Sequence, residues 1–156
     1  MRRILLLVLL LRFSLIAGAQ PAQAVPSFAF YRSGKIVFTN KDLAAGKILF
    51  FFFFDPTCEH CQRAMTNLGR QFKSYKRTAV YLISLSDHQT MRSFIGKYAP
   101  GLRDQKNVTL LQDAKNEFIY RFRPVHYPAM FLYSPKGILL DYEDNENSMF
   151  RFLKYL

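Results

Sequence analysis

The chain contains only two cysteines, Cys58 and Cys61, three positions apart. That scarcity excludes a disulfide-stapled scaffold, because staples bridge distant segments and stabilise more as the closed loop lengthens. A pair this close closes a tiny loop, which points to redox chemistry rather than scaffolding. A second C-x-x-C is missing, and His88 and His126 stand alone, so the ligand set of a structural zinc site is lacking. There is no internal repeat and no low-complexity tract. With 16 Phe and 9 Tyr in 156 residues, a disordered chain is excluded too. Acidic residues are few, 11 against 22 Lys and Arg, giving a formal net charge of +11. Such a balance attracts anionic membranes, nucleic acid or acidic partners. The basic residues are scattered from Arg32 to Lys154 without a dense block, which reads instead as a solubilising surface.

What is present begins with a processing signal. Met1-Arg2-Arg3 is a basic start, residues 4–11 are apolar throughout, and residues 13–19 extend the run past Arg12. Ala22-Gln23-Ala24 then offers the small-x-small pattern at which signal peptidase cuts. The expected organisation is a signal peptide over residues 1–24, a lead-in over 25–34 and one domain over 35–156. Arg12 splits a stretch already short for about 30 Å of hydrocarbon, so no stable membrane span is expected after cleavage. An uncleaved anchor is the alternative reading. No Cys follows the apolar run closely, which excludes a lipoprotein anchor. Removal of residues 1–24 takes away three arginines and no acid, leaving a formal charge of +8. The expected location is periplasmic or otherwise exported, where nucleic acid would be an odd partner.

Half of the residues are hydrophobic, ample for one core. Residues 35–39 read as a short strand and 40–46 as a helical turn or tight loop. Residues 47–54, KILFFFFF, are almost continuously apolar, as a central strand covered on both faces requires. Cys61, Met65, Leu68, Phe72 and Tyr75 then recur at helical intervals with polar residues between them. Residues 78–85 return to strand character, and Ser86-Asp87 caps a helix that Pro100-Gly101 stops. Residues 108–112 form a third parallel-type strand, followed by a helix capped by Asp113. Residues 128–133 and 138–142 flank a Ser134-Pro135-Lys136-Gly137 turn, a hairpin signal. A last short helix over 145–156 places Met149, Leu153 and Leu156 on one side. The predicted fold class is α/β, a central mixed sheet with helices on both faces.

The segment Asp55-Pro56-Thr57-Cys58-Glu59-His60-Cys61-Gln62 sets a C-x-x-C at a strand-to-helix junction. Cys58 at the helix start meets unpaired backbone N–H groups and the positive end of the dipole, both of which favour a thiolate. Cys61 lies on the same face one turn later and can resolve a mixed disulfide. The pattern favours dithiol chemistry over a metal site or two inert thiols. A copper-binding module using Cys58, Cys61 and His60 or His126 is the alternative from another class, since thiolates favour Cu(I). No metal and no cofactor is needed for the redox reading. A peroxidase reading would want a Thr three positions before the Cys, where Asp55 stands.

The apolar strand, the D-P-T-C-E-H-C-Q segment and the later Tyr127-Pro128 resemble the thioredoxin superfamily, particularly the exported TlpA-like thiol–disulfide oxidoreductases. The resemblance runs over residues 35–156. It implies a thioredoxin-like fold and a protein-disulfide oxidoreductase, reductase or oxidase. It also implies that Pro128 is cis and faces the cysteine pair, and that Tyr127 pairs with substrate backbone. The partners it implies are protein thiols or disulfides and an electron-exchange protein. Two positions depart from the family. Thioredoxins carry Trp before the first Cys, where Thr57 stands, and bury an acid six positions before it, where Phe52 stands. The proton of the second thiol must therefore leave through water or Glu59. His60 and Glu59 are expected to modulate the pair in opposite senses. A protonated His60 favours the Cys58 thiolate, and Glu59 adds a repelling charge.

Overall fold

The computed structural model describes residues 20–156. The basic start and apolar run of the expected signal peptide lie outside the described residues. Ala29–Arg32 (β1) and Ile36–Thr39 (β2) pair antiparallel, Phe30 opposite Phe38, across a turn in which Gly34 takes a φ of 76°. The span 25–34, expected to be a lead-in, thus carries a strand. Its four residues are too few to show a period, but Phe28 and Phe30 are buried and hold it in place.

Leu49–Phe53 (β3) is buried at every position, as its composition demanded. Phe50, Phe52 and Phe54 face one side and Phe51 and Phe53 the other, each at most 1% exposed. Helix Glu59–Gln71 (α1), strand Ala79–Ser84 (β4), helix His88–Tyr98 (α2) and strand Val108–Gln112 (β5) follow. The short helix Glu117–Phe122 (α3) leads into the hairpin of Ala129–Tyr133 (β6) and Leu139–Glu143 (β7). The seven strands run in the order β2-β1-β5-β4-β3-β6-β7. β3, β4 and β5 are parallel, and β6 is antiparallel to β3. This is a mixed sheet of thioredoxin-like fold.

Helices cover both faces. Cys61, Met65 and Leu68 of α1, and Met91, Phe94 and Ile95 of α2, pack with Phe50, Phe52 and Phe54. Phe118 and Phe122 of α3 pack with Phe28, Phe30, Phe51 and Phe53. The C-terminal segment differs from expectation. It is a 3-10 helix, Met149–Tyr155, that buries Met149 and Phe152, while Leu153 is 40% exposed. A three-residue turn brings positions three apart onto one face, which selects Phe152 over Leu153.

Residues just after the undescribed stretch are bonded to the domain. Ala22 N donates to Phe122 O (2.9 Å), and Leu139 N donates to Gln23 O (2.8 Å). The hydroxyl of fully buried Tyr133 donates to Ala22 O at 3.0 Å.

Candidate active site

β3 ends at Phe53, whose register partner on β6 is Ala129. That pairing sets Tyr127-Pro128 beside the loop leaving β3. The Tyr127-Pro128 bond is cis, and the Tyr127 ring stacks on Phe53 with centroids 4.9 Å apart. The loop is shaped by Asp55, whose Oδ1 accepts from the Thr57 amide (2.8 Å) and hydroxyl (2.7 Å). This Asx turn delivers the chain to Cys58, the N-cap of α1. Cys58 is half-buried and Cys61 fully buried, and both are free thiols. The backbone N–H of Asp55 donates to Cys61 Sγ at 3.4 Å. Burial pushes the Cys61 thiol far above its ordinary range; that amide opposes the shift, and Cys58 and Asp55 add to it. Burial also pushes Tyr127 up to about 12, and the charges of Asp55, Cys61, Asp113 and Cys58 act in the same direction.

The sequence-predicted residues fall on two sides of the pair. Cys58, Cys61 and Tyr127 share one core cluster, and Pro128 follows Tyr127 just before β6. Glu59 points away: its side chain is 81% exposed and meets Arg63 at 3.7 Å. His60 is 60% exposed and reaches Glu146 of the loop after β7, Nδ1 to Oε2 at 3.1 Å. Arg63 Nε donates to Glu146 Oε1 (3.1 Å), and Arg63 Nη2 lies 3.0 Å from His60 Nδ1. One nitrogen cannot serve both neighbours. Protonated, Nδ1 donates to Glu146; unprotonated, it accepts from Arg63. Glu146 and Asp55 were not singled out from the sequence. Asp55 carried a turn signal as Asp55-Pro56, whereas nothing local marks Glu146, 86 positions from His60. His126, His60, Tyr127 and Glu146 line a cavity of about 390 Å³ beside the pair. Among the described residues no three His, Cys, Asp or Glu side chains gather in a metal-holding arrangement.

Residues 21–142 match the profile of the AhpC/TSA family, and the chain belongs to that family within the thioredoxin superfamily. Among solved structures it resembles a thiol-disulfide oxidoreductase from Bacteroides fragilis, 20% identical, with a TM-score of 0.66 over 85% of this chain and 98% of that one. It also resembles a secreted Mycobacterium tuberculosis disulfide oxidoreductase homologous to E. coli DsbE, 21% identical, TM-score 0.65, covering 83% and 96%. A thioredoxin-like protein from Aeropyrum pernix superposes with a TM-score of 0.67 at 12% identity, covering 83% and 89%. Among curated proteins no match was found.

Proposed function

We propose that this protein is a thiol–disulfide oxidoreductase that exchanges disulfides with exported proteins through Cys58-Glu59-His60-Cys61. The observation that carries the reading is the asymmetry of the pair, Cys58 half-buried at a helix start and Cys61 buried one turn deeper. Cys58, as thiolate, attacks a partner disulfide; the partner's S–S bond breaks, and a mixed disulfide forms as one partner sulfur leaves. Cys61 then loses its proton and attacks Cys58 Sγ, forming the internal disulfide and releasing the second partner sulfur. Two electrons and two protons pass to the partner, and the reverse sequence oxidises a dithiol. Tyr127 presents the backbone against which a substrate segment pairs. The partners are protein thiols or disulfides and an electron-exchange protein, and the reaction needs no cofactor.

Cys58→Ser is expected to abolish exchange with a disulfide-containing peptide, while Cys61→Ser accumulates mixed disulfides. Non-reducing gels and mass spectrometry after mixing with substrate read both outcomes. Equal trapping by the two variants overturns the assignment of roles.

The leader reading extends this to a periplasmic or otherwise exported protein. A cut after Ala24 would remove Ala22 O, the acceptor of the buried Tyr133 hydroxyl. Ala17-Gly18-Ala19 is a second small-x-small step and keeps that bond. We therefore favour a mature chain beginning at Gln20. Among the described residues no helix is long and apolar enough to cross a membrane.

A further inference from the structure

A cavity of about 420 Å³ opens where β1 ends beside α2 and β5, and its lining shares no residue with that of the cavity beside the cysteine pair. Arg32, His88, Arg92 and Arg103 line it together with the apolar side chains of Val108 and Leu110. No carboxylate is among its lining residues. Arg63, Arg121 and Arg151 each sit in ion pairs, whereas Arg32, Arg92 and Arg103 make none among the described residues. Asp42 lies near enough to Arg32 to feel its charge, but no carboxylate pairs with any of the three guanidinium groups among the described residues, which leaves a local excess of positive potential open to an external anion.

The three arginines are exposed, but Arg32, His88 and Arg103 each rest on a neighbouring element. The Arg32 guanidinium lies 4.7 Å above the centre of the Phe38 ring. His88 Nε2 donates to Tyr31 O at 2.9 Å, which fixes its ring. Arg103 rests against α2 at Gly96, where any Cβ would overlap its Nη2. Glycine inside a helix interior sacrifices about 1 kcal/mol relative to alanine, and here it makes room for a guanidinium. Planar guanidinium forks match the geometry of phosphate and carboxylate oxygens. The apolar walls suit a hydrocarbon body, and the volume lies within the usual range for small-molecule pockets.

We infer that this cavity binds a small molecule carrying an oxyanion, phosphate or carboxylate, on an apolar body. Calorimetric titration of the reduced full chain at low ionic strength tests it, with phenyl phosphate and benzoate as probes for the two oxyanions. Inorganic phosphate serves as the probe lacking a body. One saturable site per chain is expected for phenyl phosphate or benzoate, tighter than for inorganic phosphate. Arg103→Ala is expected to weaken binding by about tenfold, the scale of one charge-assisted hydrogen bond. Gly96→Ala keeps every charge and favours the helix but obliges the Arg103 Nη2 end to shift, so it should weaken binding less than Arg103→Ala. Lys136→Ala, an equal loss of charge in the β6–β7 turn, should leave it unchanged. Absence of saturation with both probes overturns the site. Equal loss in Arg103→Ala and Lys136→Ala reduces it to diffuse attraction and also overturns it. So does inorganic phosphate binding as tightly as the larger probes.

Discussion

At the residue scale, His60 stands between the two cysteines in sequence, and its Nδ1 faces both the Glu146 carboxylate and the Arg63 guanidinium. Under the proposed exchange reaction, a positive charge on His60 would favour the Cys58 thiolate and so the reduced form, and Glu146 is placed to support that charge. Removing His60 should make the disulfide harder to reduce away, lowering the reduction potential. One pKa unit of thiolate stabilisation corresponds to about 30 mV for a two-electron couple. His60→Ala is therefore expected to lower the potential by a few tens of millivolts, with Glu146→Gln acting in the same direction and less. Glu59→Ala should raise it, but weakly, because an exposed side chain paired with Arg63 is well screened. Equilibration of each variant against glutathione reads the shifts. No shift in either His60→Ala or Glu146→Gln would reduce that contact to surface packing.

At the scale of elements, two short segments hold the domain's α3 side in place. Asp113 is 1% exposed and accepts from the amides of Glu117 and Phe118, both at 2.8 Å. It thereby starts α3, whose Phe118 and Phe122 fill the core behind Phe51 and Phe53. Asp113→Ala leaves two amides without partners and is expected to destabilise the fold by about 1–3 kcal/mol. Denaturant unfolding measures it, and a change of a few tenths would show that water takes over the cap. The segment at Ala22 and Gln23 plays a comparable part from outside the sheet. A chain beginning at Val25 should be less stable than one beginning at Gln20 by about 1–3 kcal/mol, the penalty for the orphaned Tyr133 hydroxyl. Mass spectrometry of exported protein finds the native start, and unfolding of both chains finds the difference. Equal stability would remove the physical reason for preferring Gln20.

At the scale of the whole molecule, the titrating groups define a pH window. Thr39 holds Asp42 below the ordinary carboxylate range, and Thr90 does the same for Asp87, through amide and hydroxyl bonds. For Glu146 burial pushes upward, but its own amide, His60 and Arg63 outweigh it and the net direction is down. In these three the native state binds fewer protons than the unfolded chain. Their contribution is complete above the ordinary carboxylate range and is lost as pH falls through the native values. Glu143, raised by burial against Arg151, works the other way, one group against three. On the alkaline side burial raises Cys61, Tyr75, Tyr127 and Tyr133. Stability from these is present below their ordinary values, 9.0 for the thiol and 10.0 for the phenols, and is lost as pH rises beyond them. The disulfide form has no Cys61 thiol, so its alkaline decline should begin about one pH unit later. Urea midpoints of both redox forms across pH check this; coincident curves would mean that Cys61 is not buried as a thiol.

The sequence alone determined the parts whose cause is local. Five consecutive phenylalanines can only be a strand covered on both faces, and the spacing of Cys61, Met65 and Leu68 can only bury one side of a helix. The C-x-x-C at their junction followed from the same reading. Tertiary structure decided what depends on distant partners. β1 was hidden because its four residues show no period, and it forms because Phe28 and Phe30 find α3 and β3. Leu153 yielded its place to Phe152 because the last segment is wound as 3-10 helix rather than α-helix. The meeting of His60 with Glu146, and of Arg32 with Arg92 and Arg103, is fixed by strand order and helix placement. Charge has no periodicity along a chain, so its gathering in space becomes visible only once the backbone is folded.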